Sequence, residues 1–288
     1  MKNKIAVITD TNSGMTMEEA EKLGIFLVPM PFLVDGVNYL EGKDLTPEMF
    51  FEKQRADVEI STSQPSPGEL LKLWEDVLKS YEEIVYIPMT SGLSSSCATA
   101  MALEDSFDGK VQVVDNKRIS ATLRASVYDA VKFVNEGKNA VQIKEILEKD
   151  ALNASIYITV DTLKYLKKGG RITAAAALAG TVLNIKPVLQ IQGGLLDAYA
   201  KVRGMKKAVK VMIEAIQNDL NTRFAGMKMR VMMAYTGDRT VAEQWREEVR
   251  QYFPDEELYM APLALSICCH TGENAIAIGC VRESVTES

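Results

Sequence analysis

Short apolar runs alternate with longer stretches of helical periodicity in the first half of the chain. The apolar runs predict strands at 5–8, 84–87 and 111–115. Apolar residues spaced three and four apart predict helices that begin near 16, 46, 66 and 94, followed by a pair of helices up to Asp150 that is split at Gly137. Because strands and helices alternate, this half is expected to form a parallel α/β sheet.

One segment of the first half breaks this alternation. The apolar run 25–34 is followed by Asp35-Gly36 and then by a second run at 37–40. Two extended runs joined by an Asp-Gly pair predict a β-hairpin with a two-residue turn.

Composition and pattern change near Ala154, where a second α/β unit is expected to begin. Strands are predicted at 156–160, 186–192, 229–235, 258–262, 263–269 and 275–281. Helices are predicted for a short segment capped by Asp161, for 205–220 and for 241–252. We therefore expect two α/β domains, an N-terminal domain over 1–153 and a C-terminal domain over 154–288.

Two hydroxyl-rich turns stand where the pattern passes into a helix. Residues 61–67 are Ser-Thr-Ser-Gln-Pro-Ser-Pro, and residues 90–96 are Thr-Ser-Gly-Leu-Ser-Ser-Ser. A helix start offers unpaired backbone N–H groups and the positive end of the helix dipole, so such turns can bind an anion through neutral donors. The alternative is structural, since Thr62 and Ser63 can satisfy a turn and Ser66 can cap a helix.

Length and composition place the chain among globular proteins. Its 288 residues suggest about two domains, and 47% hydrophobic residues are enough to bury cores. The apolar stretch 5–8 is too short for a secretory signal, and no run approaches the roughly 18 apolar residues of a membrane span. We therefore expect a cytoplasmic protein without stable membrane insertion.

The distribution of charge excludes one class of partner and marks one segment. The net charge of −6 argues against nucleic acid, because phosphate backbones require clustered Lys and Arg. Between Thr162 and Ile213, however, ten Lys and Arg face the single acid Asp197. The lysines of the helix predicted at 205–220 can simply form a solvated face. Arg171 and Arg203 adjoin glycines instead, and a guanidinium at such a loop edge can reach a phosphate or a partner carboxylate.

The cysteines and the sole histidine offer little sign of metal binding. Cys97, Cys268, Cys269 and Cys280 lie among apolar or small residues without the spacing of a disulfide framework, so reduced, buried thiols are expected. Cys268-Cys269-His270 suggests zinc, but neighbours on a strand point to opposite faces and no second Cys/His pair completes a tetrahedral set. We expect no metal, and taken alone His270 is more typical of a core or edge residue.

Seven motifs in register make the chain resemble the DegV family. They are Ile8-Thr9-Asp10-Thr11, the segment 62–67, Ser91-Gly92-Leu93-Ser94, Asp161-Thr162-Leu163 with Gly169-Gly170-Arg171-Ile172, the segment 183–187, Arg203 with Lys206-Lys207-Ala208, and His270-Thr271-Gly272. Each motif is weak alone, but together they run through nearly the whole chain.

The resemblance implies a two-domain α/β protein with a fatty-acid tunnel at the domain interface. It implies that Thr62, Ser94, Ser95 and His270 hold the carboxylate of a long-chain fatty acid, and we count Ser63 of the same turn with them. It also implies that Arg171 and Arg203 lie at the tunnel mouth, where a kinase partner works. The chain is accordingly expected to be the fatty-acid-binding subunit of a bacterial fatty acid kinase system, a carrier rather than an enzyme, with no cofactor besides the bound fatty acid.

The chain departs from the family pattern in two places. After Gly-Leu-Ser the family usually has Gly-Thr, whereas this chain has Ser95-Ser96, which can alter which backbone N–H is free. After His-Thr-Gly the family usually has Pro-Gly, whereas this chain has Glu273-Asn274. A carboxylate at 273 either raises the proton affinity of His270 or points to solvent.

Two other functions remain open from the residues alone. A serine-type acyl hydrolase would use Ser94 and His270 with Asp10 or Asp115, but the Gly-x-Ser-x-Gly elbow is missing, and Asp10 also suits a simple turn. A phosphate-ligand or nucleotide enzyme would need a Walker loop or a Gly-x-Gly-x-x-Gly fingerprint after a strand, and neither is present.

The methionine content bears on the expected tunnel. There are fourteen methionines, among them Met30, Met89, Met205, Met212, Met232 and Met233. Methionine adapts to irregular apolar shapes, so these residues suit tunnel walls, and the alternative for each of them is ordinary core filling.

Overall fold

The computed structural model of the chain describes residues 3–172 and 185–285. Within these ranges the chain is a mixed α/β protein with three sheets, ten α-helices and two short 3₁₀ segments. The alanine-rich stretch 174–179 and the motif residues Leu183 and Asn184 lie outside the described residues.

The elements of the first half follow one another in the predicted alternation. In chain order they are β1 (Asn3–Asp10), α1 (Met17–Leu23), β2 (Phe26–Val28), β3 (Pro31–Val34), β4 (Val37–Leu40), α2 (Pro47–Arg55), β5 (Ile60–Thr62), α3 (Pro67–Leu78), β6 (Tyr81–Ile87), α4 (Ser96–Glu104), β7 (Val111–Val113), α5 (Ser120–Asn135) and α6 (Ala140–Lys149). The Thr16 capping box is present at the start of α1, where the Thr16 hydroxyl accepts from the Glu19 N–H and the Glu19 carboxylate accepts from the Thr16 N–H.

Four strands of this half form the parallel sheet β2-β1-β6-β7, which confirms the predicted parallel arrangement. Its central strands are apolar on both faces because helices cover both sides. Trp74 and Tyr86 pack on one side and Leu123 and Phe133 on the other, and all four are fully buried. β3, β4 and β5 form a separate antiparallel sheet of three strands, in the order β4-β3-β5.

The second half is built on a larger, mostly antiparallel sheet. Its elements are β8 (Ala154–Thr159), α7 (Lys164–Lys168), β9 (Ile185–Gln192), β10 (Leu195–Arg203), α8 (Met205–Asn221), β11 (Met229–Tyr235), α9 (Arg239–Arg250), β12 (Tyr259–Pro262), α10 (Leu265–Thr271) and β13 (Ile276–Arg282). The strand order is β10-β9-β8-β13-β11-β12, with a parallel pair only at β11 and β12. All six strands lie after residue 153, while the exact boundary between two domains stays a prediction.

The two halves share an apolar core. Phe32 and Phe50 from the small antiparallel sheet and α2 pack in one cluster with Ile158 and Leu189 from the larger sheet. An ion pair between Arg230 of β11 and the buried Asp129 of α5, at 2.9 Å, adds a polar contact between the halves.

The predicted hairpin over 25–40 is only partly correct. The pair β3 and β4 turns at Asp35-Gly36 as expected, but β2 belongs to the parallel sheet. The run is divided by Pro29 and Pro31, which lack the backbone N–H that a continuous strand ladder requires. One apolar stretch therefore serves two sheets.

The strand predicted at 263–269 is wrong, because this segment forms α10. β12 ends at Pro262, and the helix begins three residues later. Leu265, Cys268 and Cys269 are buried. A short apolar run that is buried all round does not reveal its period, so helix and strand could not be separated by pattern.

Two predicted helix caps also differ from the structure. Asp161 does not cap α7, whose N-cap is Leu163, and its carboxylate instead accepts hydrogen bonds from Lys186 and Asn274. Ser66 precedes α3 as expected, but its side chain makes no capping hydrogen bond.

Candidate functional site

A cavity of about 320 Å³ lies between the loops at the carboxyl ends of the parallel strands and one face of the larger sheet. Its apolar wall consists of Met30, Met89, Leu93, Ile119, Ile158, Leu166, Leu189, Ile191, Leu196 and Ile267. Its polar lining consists of Asn12, Thr62, Ser63, Gln64, Ser94, Ser95, Arg171, Ser266, His270 and Thr271. A concave apolar space with a few polar groups is the usual form of a small-molecule site.

Thr62 and His270 meet at this cavity although 208 positions separate them in the chain. Thr62 ends β5, and its Oγ1 lies 3.1 Å from Nε2 of His270 on α10. Ser63 continues from Thr62 along the wall, with its backbone N–H donated to the Pro31 carbonyl. The structure therefore places all five predicted carboxylate-binding residues on one cavity.

The helix that carries His270 is anchored by the other half of the chain. The buried carboxylate of Glu41 accepts hydrogen bonds from the Leu265 N–H at the start of α10 and from the Thr11 hydroxyl. The Ser266 hydroxyl donates to Asn12 Oδ1 at 2.6 Å. These bonds fix the orientation of α10 and thereby the position of His270 at the cavity.

Burial keeps the His270 imidazole neutral. The pKa of His270 is lowered to about 4, first by desolvation and then by the positive charge of Arg171. The ring therefore carries no charge near neutral pH and acts as a neutral donor or acceptor.

Glu273 does not act on His270 in the way that one of the two sequence expectations required. Its carboxylate pairs with Arg55 at 2.6 Å, and the pKa of His270 moves downward, because of burial and the charge of Arg171, rather than upward. The expected rise in proton affinity is therefore wrong.

The departure at Ser95-Ser96 changes the hydrogen bonds of Ser94. The Ser94 hydroxyl donates to Ser96 Oγ at 3.0 Å and accepts from the Ser96 N–H at 3.2 Å. Ser96 is buried, whereas Ser95 is exposed and lines the cavity without a side-chain capping bond. The Ser96 N–H is thus already engaged, and Ser94 must redirect its proton to bind an anion.

The geometry does not form the triad of an acyl hydrolase. Asp10 accepts from the Asn12 and Met89 N–H groups, and Asp115 pairs with Lys117. Within residues 3–172 and 185–285, Nδ1 of His270 has no hydrogen-bond partner. The carboxylate that would orient the imidazole of a triad is therefore missing from the described part of the chain.

The two predicted docking arginines lie in different places. Arg171 lines the cavity, and its Nη1 donates to the Gly169 carbonyl at 2.6 Å. Arg203 is exposed at the end of β10, opposite Ile185 in register, and is not among the residues that line the cavity.

Asn12 and Ser266 are lining residues that the sequence did not single out, whereas Gln64 lines the cavity from the first hydroxyl-rich turn. Asn12 follows the carboxyl end of β1, where ligands of parallel sheets bind, so its position carried a usable signal. Ser266 had none, because its helix was predicted as a strand.

The methionines divide between wall and core. Met30 and Met89 line the cavity, while Met205 and Met212 pack around α8 in the outer core. Met232 and Met233 line a void of about 40 Å³ that shares Ile119, Ile158, Ile191 and Ile267 with the main cavity.

The cysteines, the possible metal ligands and the apolar helices of the described residues were each predicted from the sequence to have a plain structural role. All four cysteines are buried and unpaired, as predicted, and burial raises the pKa of Cys97 to about 12. Over residues 3–172 and 185–285, no three His, Cys, Asp or Glu side chains gather closely enough to hold a metal ion. In the same part of the chain, no helix combines the length and apolar character that crossing a bilayer requires.

Comparison with known proteins decides the family. The model of a family described as "Uncharacterised protein, DegV family" matches residues 4–283. The chain belongs to the DegV family. A DegV domain-containing protein of Deinococcus radiodurans is 32% identical over 278 residues, which cover 95% of this chain and 97% of that protein.

Solved DegV structures share the whole fold. A DegV family protein of Thermus thermophilus, described as fatty-acid binding, is 28% identical, with a TM-score of 0.88 over 98% of this chain and 100% of that one. DegV of Bacillus subtilis, described as a fatty acid binding protein, is also 28% identical, with a TM-score of 0.84 over 98% of this chain and 100% of that one. The predicted α/β class and family resemblance are confirmed.

Proposed function

We propose that this DegV protein binds a long-chain fatty acid in its 320 Å³ cavity and presents the carboxylate to a separate kinase for acyl-phosphate formation. One observation carries the proposal: the neutral hydrogen-bonding pair Thr62 and His270 faces a cavity whose other walls are mainly apolar. The fatty-acid binding of the Thermus thermophilus and Bacillus subtilis relatives supports it.

The Thr62–His270 pair suits a carboxylate without a full ion pair. A neutral imidazole with its proton on Nε2 donates to Thr62 Oγ1, which frees the threonine hydroxyl proton for a carboxylate oxygen. Hydrogen bonds to a charged acceptor are stronger than neutral ones, yet they leave the oxygen less shielded than a bidentate arginine does. The carboxylate thus stays available as a nucleophile.

The tail supplies most of the affinity in this account. A chain of about 14 methylenes gains on the order of 11 kcal/mol from burial, before the cost of association. Met30 and Met89 give the wall side chains that adapt to different tails. Ser63, Ser94 and Ser95 complete the proposed headgroup set, once Ser94 turns its proton away from Ser96.

We infer that the chain itself is a carrier. Without an acid aligned on His270, the described site lacks the triad that an acyl hydrolase would use, and in this proposal phosphoryl transfer falls to the kinase. In this proposal Arg171 and the exposed Arg203 face the kinase, and the complex works in the cytoplasm. The kinase and the location rest on the family resemblance and on the sequence.

Mass spectrometry of the purified protein tests ligand binding. Organic extracts of folded protein from a bacterial host should contain about one C14 to C18 fatty acid per chain. A delipidated sample should take up palmitate again, and Thr62→Val should weaken that binding by roughly tenfold because it removes a hydrogen bond to a charged group. Thr240→Val, at an exposed position of α9, is the matched control. Extracts free of fatty acid, together with no uptake of palmitate, would refute the proposal.

A reconstituted reaction tests presentation. Loaded protein, a purified fatty acid kinase subunit and ATP should yield acyl phosphate, and loaded protein with ATP alone should not. Arg203→Ala should slow this reaction without changing palmitate affinity. Lys72→Ala on α3 should change neither the rate of the reaction nor palmitate affinity. Acyl phosphate formed without the kinase would make the chain an enzyme and overturn the carrier role.

A further inference from the structure

A second cavity of about 150 Å³ adjoins the proposed headgroup site. It shares Thr62, Arg171 and His270 with the main cavity, so these side chains form a common wall. The rest of its lining comes from α2, from β5 and the segment before it, from α7 and the glycine that follows it, and from α10. One water molecule needs about 10–15 Å³ of such volume, so this chamber has room for on the order of ten water-sized groups.

Two cations and one acid line the second chamber. The cations are Lys168 and Arg171, and the acid is Asp57. Asp57 pairs with Lys164 at 2.9 Å, and the pKa of Asp57 is lowered by Lys164 and further by Lys168. Lys168 is exposed, and no hydrogen bond or ion pair of its ammonium occurs within the described ranges. The acid is therefore balanced by Lys164, and Lys168 and Arg171 leave the chamber positive.

The inner wall also has unused hydrogen-bonding capacity. Gln54 is 6% exposed, and its Nε2 donates to the Cys268 carbonyl at 3.1 Å. Its Oε1 has no partner in the described part of the molecule, and one Nε2 hydrogen remains. Buried polar atoms of this kind usually bond water or a ligand.

We propose that the second chamber receives the phosphoryl group of the acyl phosphate, with Lys168 as its principal cation and Arg171 between the two cavities. The inference rests on the proposed function. In the reaction, a carboxylate oxygen attacks the γ-phosphorus of ATP held by the kinase, an O–P bond forms, and the bond to the bridging oxygen breaks so that ADP leaves with the electron pair. The headgroup changes from one negative charge to two. The second negative charge accounts for the positive side chains of the second chamber, on the far side of Thr62 and His270 from the tail cavity.

A pair of ligands tests the chamber in the full chain. Palmitate probes the carboxylate site alone. A β-ketophosphonate in which CH2 replaces the bridging oxygen of palmitoyl phosphate probes both cavities without hydrolysis. Calorimetry should show that Lys168→Met weakens phosphonate binding by roughly tenfold, the effect of losing one charge-assisted contact, and palmitate binding by less than about twofold. Lys167→Met, at an exposed neighbour on the same helix that lines neither cavity, should alter neither affinity.

The outcomes separate this inference from the proposed function. If Lys168→Met lowers both affinities equally, or lowers neither, the chamber does not receive the phosphoryl group. If palmitate does not bind the unmodified chain, the proposed function itself fails. Inorganic phosphate is the third probe: binding that depends on Lys168 for free phosphate but not for the phosphonate would mark a phosphate site unrelated to the lipid and would overturn the inference. The ³¹P resonance of the bound phosphonate should titrate at lower pH than that of the free ligand, and Lys168→Met should remove most of that difference.

Discussion

The imidazole of His270 lies directly against the backbone of Gly169. A Cβ at position 169 would stand 2.0 Å from Nδ1 and 2.5 Å from Cε1 of that ring, closer than any real contact. Gly169 has an ordinary φ of −82°, so the position needs glycine for space and not for backbone freedom. The Gly-Gly-Arg motif after α7 thus sets where the histidine of α10 can sit.

Gly169→Ala should therefore move the His270 ring with little backbone strain. We expect palmitate affinity to fall roughly tenfold as the hydrogen bond to Thr62 is lost. Because His270 is the sole histidine of the chain, its ring signals in NMR report the movement without ambiguity.

Gly170→Ala is the control for this change. Gly170 has φ +72°, and a Cβ added there would meet only open space. Alanine at this position should therefore cost about 1 kcal/mol of stability and leave the His270 signals in place. Equal shifts of the His270 signals in both variants would contradict the steric account.

The pKa of His270 gives a prediction with a definite sign. Titration of its ring signals should have a midpoint near pH 4. Between pH 6.5 and 4 the unfolded chain binds a proton that the folded chain refuses, so this residue lowers stability as the pH falls, by at most about 3 kcal/mol.

Comparison with His270→Asn isolates that contribution. Asp10, whose pKa burial raises to about 6, acts in the opposite sense because the folded chain binds its proton first. As the pH falls from 6.5 to 4, the free energy of unfolding should therefore decrease less in His270→Asn than in the unmodified chain, or increase, because the opposite contribution of Asp10 remains. Arg171→Gln should raise the His270 pKa only part of the way back to its ordinary value, because burial is the larger cause of the lowered pKa. A midpoint near 6.5 in the unmodified protein would show that the ring is not buried.

Glu41 should matter for binding although it touches no proposed ligand. Glu41→Ala leaves the Leu265 N–H and the Thr11 hydroxyl without their acceptor, and each buried unsatisfied group costs about 1–3 kcal/mol. We expect a lower melting temperature and weaker palmitate binding, because α10 loses its anchor.

Glu41→Gln keeps one acceptor and should restore part of both losses. Glu59→Ala, at an exposed position, should change neither the melting temperature nor palmitate affinity. If Glu41→Ala lowers stability while palmitate affinity and the His270 signals stay unchanged, Glu41 supports the fold but does not position the histidine.

Glu273→Gln should have little effect on the site. Glu273 pairs with Arg55, whose side chain is 60% exposed, and such pairs contribute about 1 kcal/mol or less. The His270 pKa should stay near 4. A drop of the His270 midpoint by a full unit in this variant would restore the expectation that Glu273 raises its proton affinity.

The sequence predicted the parallel sheet well because alternation of apolar runs with helical periods is a local signal. It failed where burial hides the period, as at 263–269, and where two prolines divide an apolar run, as at Pro29 and Pro31. The sequence identified only those site residues that belong to a local pattern or to a family motif. The hydroxyl turns around Thr62 and Ser94 are local features, and family motifs added His270.

The remaining parts of the site depend on contacts that no local pattern encodes. Glu41 reaches Leu265 across 224 positions, and Gln54 reaches Cys268 across 214. The fit of His270 against Gly169 likewise arises only when α7 and α10 pack together.

NMR of bound palmitate labelled with ¹³C at its first two carbons tests the central claim most directly. We predict a single bound carboxyl resonance, with contacts between the neighbouring CH2 protons and the His270 ring. That resonance should shift in Thr62→Val and stay unchanged in Thr240→Val. A bound carboxyl group that shows no contact with His270 and does not respond to Thr62→Val would contradict the account.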